Sequence, residues 1–451
     1  MKLLPQAVCI TLLATLFNLA HAEVARPNIV LILADDLGFS DIASYGSEIQ
    51  TPSLDALAAN GISFTNYHTA ASCAPTRAML LTGVDSHRNG VPNIPESIPP
   101  AHQVHENYRG VLSRDVVTVA SLLQNAGYHT YMAGKWHLGK ARDELPYRRG
   151  FSRTITLADT GADNWEQKPY IPIYEKANWF ADGEETTLPE DFYSSEFLID
   201  KTIEFIDSNS DSQPFFAYIP FQAVHIPVQA PKEFTDKYLD TYQQGWTALR
   251  EQRQKRSKEL GIIPANAEMQ TMSSTHDWDS LSAEEKRFHA KRMAVYAGMV
   301  DAMDHHIGRL VAHLKATGRY DNTIFIFSSD NGSEATGGDN PRSLLNRLGL
   351  RMQGYTNDYD TLGSKGSFVT DITPTILEFT STPAPTEFFG GRRIVPMIGR
   401  SLAALSRGEV EQVYTESDYI GYELGGNAAL FQGPYKIVKN RGPVGDSEWH
   451  L

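Results

Sequence analysis

The run Asn28-Ile-Val-Leu-Ile-Leu-Ala34 is almost continuously apolar and partly β-branched, the pattern of a strand buried on both faces of a parallel sheet. It ends in Asp35-Asp36. A second such run, Thr323-Ile-Phe-Ile-Phe327, follows a helical pattern from about Met293 to Leu314 and ends in Ser328-Ser-Asp-Asn-Gly332. Between them, Val117 to Asn125 reads as a helix closed by Gly127. The strand-like Tyr128 to Met132 leads into Gly134-Lys-Trp-His-Leu-Gly139, and Pro214-Phe-Phe-Ala-Tyr-Ile219 leads towards His225. This alternation predicts an α/β fold, a doubly wound and mostly parallel sheet flanked by helices. Ligands of such sheets bind beyond the carboxyl ends of the strands. Asp35, Asp36, Lys135, His137, His225, Asp330 and Asn331 all follow strand-like segments, so the pattern gathers them at one end of one sheet.

With 21% charged and 41% hydrophobic residues over 451 positions, the chain is too apolar to be disordered. Acidic residues outnumber basic ones 54 to 40, a net charge of −14, which leaves no excess of cations for a phosphate backbone and argues against a nucleic-acid partner. Lys2, the apolar run Ala7 to Leu19 and Ala20-His-Ala22 read as a secretory signal over residues 1–22, cleaved after Ala22. The run is too short for a membrane span. The expected location is periplasmic or secreted, with no membrane span after cleavage. Cleavage also removes Cys9, so Cys73 has no partner for an internal disulfide, and its place calls for a chemical explanation.

From Lys232 to Arg292 the composition turns charged and helical. With its basic cluster Arg250 to Lys258 diluted by Glu251 and Glu259, it reads as a solvated helical insertion. His305-His306 lies inside a helical pattern, where adjacent side chains point about 100° apart and do not readily share one ion. Val410 to Lys439 alternates like strands around the turn Gly433-Pro434, which predicts a small antiparallel C-terminal sheet.

The segment Ser72-Cys-Ala-Pro-Thr-Arg-Ala-Met-Leu-Leu-Thr-Gly83 reads as a helix, with Ser72 or Cys73 at its cap, Pro75 in the first turn and Gly83 at its end. Exposed N–H groups and the positive end of the helix dipole favour an anion beside Cys73, and Arg77, one turn on, can point the same way. These residues carry a resemblance. Cys73-Ala-Pro-Thr-Arg77 with Leu81-Thr-Gly83 resembles the complete signature of type I sulfatases, of the alkaline phosphatase superfamily, in which the cysteine is oxidised to formylglycine by a dedicated maturation enzyme. The resemblance extends from about Pro27 to Leu377, through Asp35-Asp36, Thr51-Pro-Ser-Leu-Asp55, Gly134 to Gly139 and Ser329 to Gly332, and is closest to bacterial arylsulfatases.

It implies a sulfuric ester hydrolase acting on a small-molecule or glycan sulfate ester through formylglycine derived from Cys73. It further implies that Asp35, Asp36, Asp330 and Asn331 bind one Ca²⁺, and all four offer the oxygen ligands a hard cation takes. Arg77 and Lys135 would bind the formylglycine hydroxyls and the sulfate, His137 would assist the nucleophile, and His225 would lie near the leaving oxygen. Leu362-Gly-Ser-Lys-Gly-Ser367 resembles the segment of the family's second lysine, which makes Lys365 the candidate. The E-G-G that follows in the family is absent, as if deleted near Val369. The expected division is therefore residues 1–22 as signal, 23–380 as the sulfatase domain, and 381–451 as a partial C-terminal subdomain that stops where the family continues. A phosphonate or phosphate diester hydrolase of the same superfamily, or a non-catalytic sulfatase remnant, are the alternative readings.

Overall fold

Residues Asn28–Ala34 form strand β1, and every one of them is buried. Ile29, Leu31 and Leu33 join one apolar cluster and Val30, Ile32 and Ala34 the other, because successive side chains of a strand point to opposite faces. Each such buried Ile or Leu contributes about 1.5–3 kcal/mol. A strand with two apolar faces has to lie inside a sheet covered on both sides. That is where the computed structural model places it; the structure describes residues 26–170, 174–269 and 277–333 and, further on, 388–395, 397, 400–407, 409, 418–424, 427–432, 435–439 and 448–450.

The other strands of this sheet are β2 (His129–Lys135), β3 (Arg153–Leu157), β4 (Trp179–Ala181), β5 (Glu184–Glu185), β6 (Phe215–Pro220) and β7 (Thr323–Ser329). They lie in the order β5-β4-β3-β2-β6-β1-β7. The five strands from β3 to β7 in that order pair in parallel, and β4 and β5 add antiparallel. Helices α1 (Pro52–Ala59), α4 (Ser194–Asp207) and α6 (Ala283–Ala316) supply apolar side chains to one face, and α2 (Cys73–Thr82) and α3 (Val119–Asn125) to the other. The doubly wound, mostly parallel sheet expected from the sequence is the observed one. A four-stranded antiparallel sheet of Tyr419–Leu424, Asn427–Gln432, Tyr435–Lys439 and Trp449–His450 follows near the carboxyl end.

The charged stretch 232–292 differs from its sequence reading. It contains α5 (Gly245–Glu259), but its last ten residues are the start of α6, which runs on into the core. Ser282 caps α6 through the Glu285 N–H while the Glu285 carboxylate accepts from the Ser282 N–H. This capping box starts the helix a full ten residues before Met293. Nor is the basic cluster wholly solvated. Arg253 donates from Nε and from a terminal nitrogen to Glu48, both at 2.8 Å, and is also paired with Asp41. Asp41 in turn accepts from Gly38 N–H at 2.9 Å, from the Tyr296 hydroxyl at 2.7 Å and from the Ser333 hydroxyl at 3.2 Å. One carboxylate thus ties the loop after β1 to the turn after β7.

Burial pushes the Asp41 carboxyl up, but Arg253 and the hydroxyl donors outweigh it and hold its pKa below the ordinary 3.8. This stabilisation is present above that value and is lost as pH falls through the lower folded value. Arg253→Met leaves the carboxylates unpaired, and its expected cost is about 3–5 kcal/mol at neutral pH. In urea unfolding the gap between variant and parent should be widest at pH 7 and narrow below pH 3.8. A gap independent of pH would remove Asp41 from the explanation.

Residues 1–22, Lys365, Val369 and the 380/381 boundary lie outside the described residues. Among the described residues no helix is long and apolar enough to cross a membrane.

Candidate active site

The carboxyl ends of β1, β2, β6 and β7 bring together Asp35 and Asp36, Lys135 and His137, His225, and Asp330 and Asn331. Backbone bonds continue past the strands and fix the loops to one another. Asp330 N–H donates to Ala34 O at 3.1 Å, Asp35 N–H to Ala223 O at 2.9 Å, and Val224 N–H back to Asp35 O at 2.7 Å. Gly134 permits the approach of β2 to β6, since a Cβ there would lie 1.9 Å from Pro220 O and its φ is +137°. Two site residues other than glycine hold left-handed backbone, Asp36 at φ 61° and His137 at φ 57°. Conformations of this kind persist only where the surroundings enforce them.

Cys73 opens α2 with Ser72 as an extended N-cap and Gly83 as a left-handed C-cap, as the sequence predicts. The Ser72 side chain makes no capping bond. All ten residues of the helix are buried, so the start of α2 has no freedom to swing. Arg77 is completely buried. Its Nε donates to Asp330 at 2.8 Å, one terminal nitrogen donates to Lys135 O at 2.8 Å, and the other pairs with Asp35 at 3.0 Å and Asp330 at 2.6 Å. Lys135 Nζ, equally buried, donates to both oxygens of Asp35 at 2.9 and 2.8 Å. The two cations therefore brace Asp35 and Asp330, two of the carboxylates that the resemblance assigns to a metal.

Burial raises the Asp35 carboxyl, but Lys135 and Arg77 outweigh it and hold its pKa low. Burial and then the Asp35 carboxylate push Asp330 up. Two neighbouring buried carboxyls resist ionising together unless a further cation is present. Asp36 N–H donates to Asp330 at 3.1 Å, and Asn331 Nδ2 donates to Asp36 at 2.6 Å. Asn331 Oδ1 is buried and has no hydrogen-bond partner among the described residues. Donor atoms of Asp35, Asp330 and Cys73 lie within 4.8 Å of one another. An orphaned amide oxygen beside three carboxylates is a donor set for a hard divalent cation. Three carboxylates against Arg77 and Lys135 leave one net negative charge. One divalent ion reverses it to one positive charge, complementary to a monoanionic ester.

The Cys73 thiol lies 3.3 Å from His137 Nδ1. Burial first, then Asp330, Asp35 and Asp36, push its pKa up to about 11 against the opposing charge of Lys135. An unmodified thiol here is a poor nucleophile, because the thiolate is the reactive form. His225 Nε2 lies 3.4 Å from Thr160 Oγ1 and 3.7 Å from Asp36. The structure brings together these groups, which the sequence singled out, and sets beside them two that the sequence did not. Glu96 lies 3.2 Å from His137 Nε2, and Tyr174 donates to the same carboxylate. Glu96 stands on a three-residue 3-10 turn and Tyr174 outside any helix or strand, so neither stretch of sequence carries a periodic signal.

The sulfatase family model matches residues 27–366. The chain is 34% identical to an uncharacterized sulfatase of Schizosaccharomyces pombe, over 96% of this chain and 88% of that one. This alignment runs over 498 positions, more than the whole chain, so that relative carries stretches that this one lacks. An arylsulfatase of Klebsiella aerogenes is 33% identical over 86% of this chain and 94% of its own. A solved structure in complex with its substrate, D-glucosamine-2-N,6-O-disulfate, shares the fold with a TM-score of 0.60 at 21% identity, covering 94% of this chain and 90% of that one.

Proposed function

The chain belongs to the sulfatase family and hydrolyses sulfate esters, and we propose that it does so through formylglycine made from Cys73, beside one Ca²⁺ held by Asp35, Asp36, Asp330 and Asn331. The observation that carries this reading is the convergence of the Cys73 side chain, two buried cations and four oxygen-bearing residues at one end of the sheet. Sulfatases generally use formylglycine and a divalent metal. The maturation enzyme that oxidises the cysteine is a required partner, and export to the periplasm or beyond follows from reading residues 1–22 as a signal. The substrate is a sulfate monoester of a small molecule or glycan, in keeping with the arylsulfatase relative and the sulfated sugar bound by the structural neighbour.

Hydrated formylglycine would supply one hydroxyl to attack sulfur and a second whose deprotonation releases sulfate, while Ca²⁺ would draw charge from the sulfonyl oxygens. The chain's own residues prepare this chemistry. Lys135 and Arg77 hold Asp35 ionised, Arg77 also fixes Asp330 in place, and their positive charge faces the group at position 73. His137 Nδ1 stands within reach of a proton on residue 73, and His225, 3.7 Å from Asp36, serves the leaving oxygen. Lys365 is the further cation that the family resemblance assigns to the sulfate. Cys73 is only 7% exposed, and electrostatic stabilisation is strongest where water is scarce.

An aryl sulfate and an aryl phosphodiester offered to the matured, calcium-loaded protein separate this reading from a diester hydrolase. The expected kcat/KM favours the sulfate by at least about tenfold. A preference for the diester would overturn the assignment, and no turnover of either would leave the remnant reading.

A further inference from the structure

Neither ring nitrogen of His137 is free. Nδ1 faces the Cys73 thiol at 3.3 Å, and Nε2 faces Glu96 at 3.2 Å from Oε1 and 3.3 Å from Oε2. The thiol stands where the formylglycine side chain would carry a hydroxyl. Glu96 belongs to the 3-10 turn Pro95–Ser97, and the buried Val91 and Ile98 on either side anchor it. The carboxylate itself is largely buried, and Tyr174 donates its hydroxyl to Oε1. Tyr174 is braced in turn by Lys140, whose ammonium lies 5.1 Å from its ring centre. Burial pushes the Glu96 carboxyl up, but His137 outweighs it and holds the pKa below the ordinary range.

An ionised carboxylate only accepts hydrogen bonds, so a neutral imidazole facing it must carry its proton on Nε2. The lone pair is then on Nδ1. We propose that Glu96 is a positioning residue for sulfate ester hydrolysis, holding His137 as the Nε2–H tautomer so that Nδ1 presents its lone pair to the side chain of residue 73. The left-handed backbone at His137 belongs to the same arrangement. Its N–H donates to Ala158 O at 3.1 Å, which fixes the ring's origin, while Glu96 fixes its rotation. This assignment rests on reading residue 73 as the nucleophile, and it explains why an acidic side chain is held this close to an anion-binding site: its charge is directed at the imidazole.

Two measurements test it. Nitrogen NMR of histidine-labelled protein, with the His137 signals identified by their loss in His137→Gln, should show the Nε2–H tautomer in the parent chain. In aryl sulfate turnover, Glu96→Gln should lower kcat by about 10- to 100-fold with KM nearly unchanged, and Glu96→Asp, which keeps the charge, should lose less. A packing role predicts the reverse order, since Gln preserves the size of Glu and Asp does not. An Nδ1–H tautomer in the parent, or undiminished kcat in Glu96→Gln, would overturn the proposal. Failure of the parent to turn over any sulfate would instead remove the proposed nucleophile, while the NMR result would still decide whether Glu96 sets the ring.

Discussion

Cys73→Ala is expected to lower aryl sulfate turnover by at least about 10⁴-fold, the scale on which removal of a covalent nucleophile acts. The loss should come without unfolding. Cys73 is the first residue of α2 and contributes one sulfur to the packing, and the helix is held by the apolar contacts of Met79, Leu80 and Leu81. The alanine variant should therefore melt within a few degrees of the parent. Cys73→Ser discriminates further. Its single hydroxyl can attack sulfur once, but nothing on that carbon can expel the sulfate, so one turnover at most is expected. The unmodified protein should be inactive too, because a thiol has no second hydroxyl on its carbon to expel the sulfate. Activity should scale with the fraction of the Cys73 peptide that has lost about 18 Da on conversion of thiol to aldehyde. Sustained turnover by Cys73→Ala, or by protein with an unconverted thiol, would refute the covalent mechanism.

The parts of this protein legible in its sequence are those where one residue type has one physical use. Asn28–Ala34 can only be an interior strand, because it has no polar face to offer water, and the two clusters on either side of it follow from that alone. The carboxylates at strand ends were legible for the same reason: polar residues directly after a buried strand emerge where the sheet stops. The short strands β3, β4 and β5 escaped, although Asp182-Gly183 between β4 and β5 is a strong hairpin signal and both residues hold positive φ. Their strands are two to five residues long, shorter than any window that reveals a period. Arg253 escaped for another reason. On α5 it resembles its solvated neighbours, and only the tertiary approach of Asp41 and Glu48 sets it apart. Glu96 is the extreme case, 41 positions before His137 in sequence and meaningful only through it.

Calcium is expected to raise the melting temperature, and chelation to lower it together with activity. Asp35, Asp36 and Asp330 stand at the ends of two adjacent strands whose register is fixed from Asn28↔Thr323 to Ala34↔Ser329, so they cannot move apart to relieve their repulsion. Arg77 and Lys135 compensate only part of it, as the opposed shifts of Asp35 and Asp330 show. A cation that binds the folded chain alone adds RT ln(1 + [L]/Kd), about 2.7 kcal/mol at a hundredfold excess over Kd, which in a chain of this size amounts to a few degrees. Asp330→Asn supplies the control. The amide retains the shape and one oxygen but removes a charge, and Arg77 still has Asp35, so the fold should survive while the calcium-dependent shift shrinks and turnover falls by at least about 100-fold. Were the variant to keep the full calcium shift, the ion would bind elsewhere. Were zinc to restore a chelated sample better than calcium, the four oxygen donors would be the wrong ligand set, since nitrogen and sulfur are what zinc prefers. The salt dependence of the effect distinguishes the site from a surface ion pair as well, because a loss of stability on chelation that persists in high salt requires carboxylates shielded from the solvent, as Asp35 and Asp330 are.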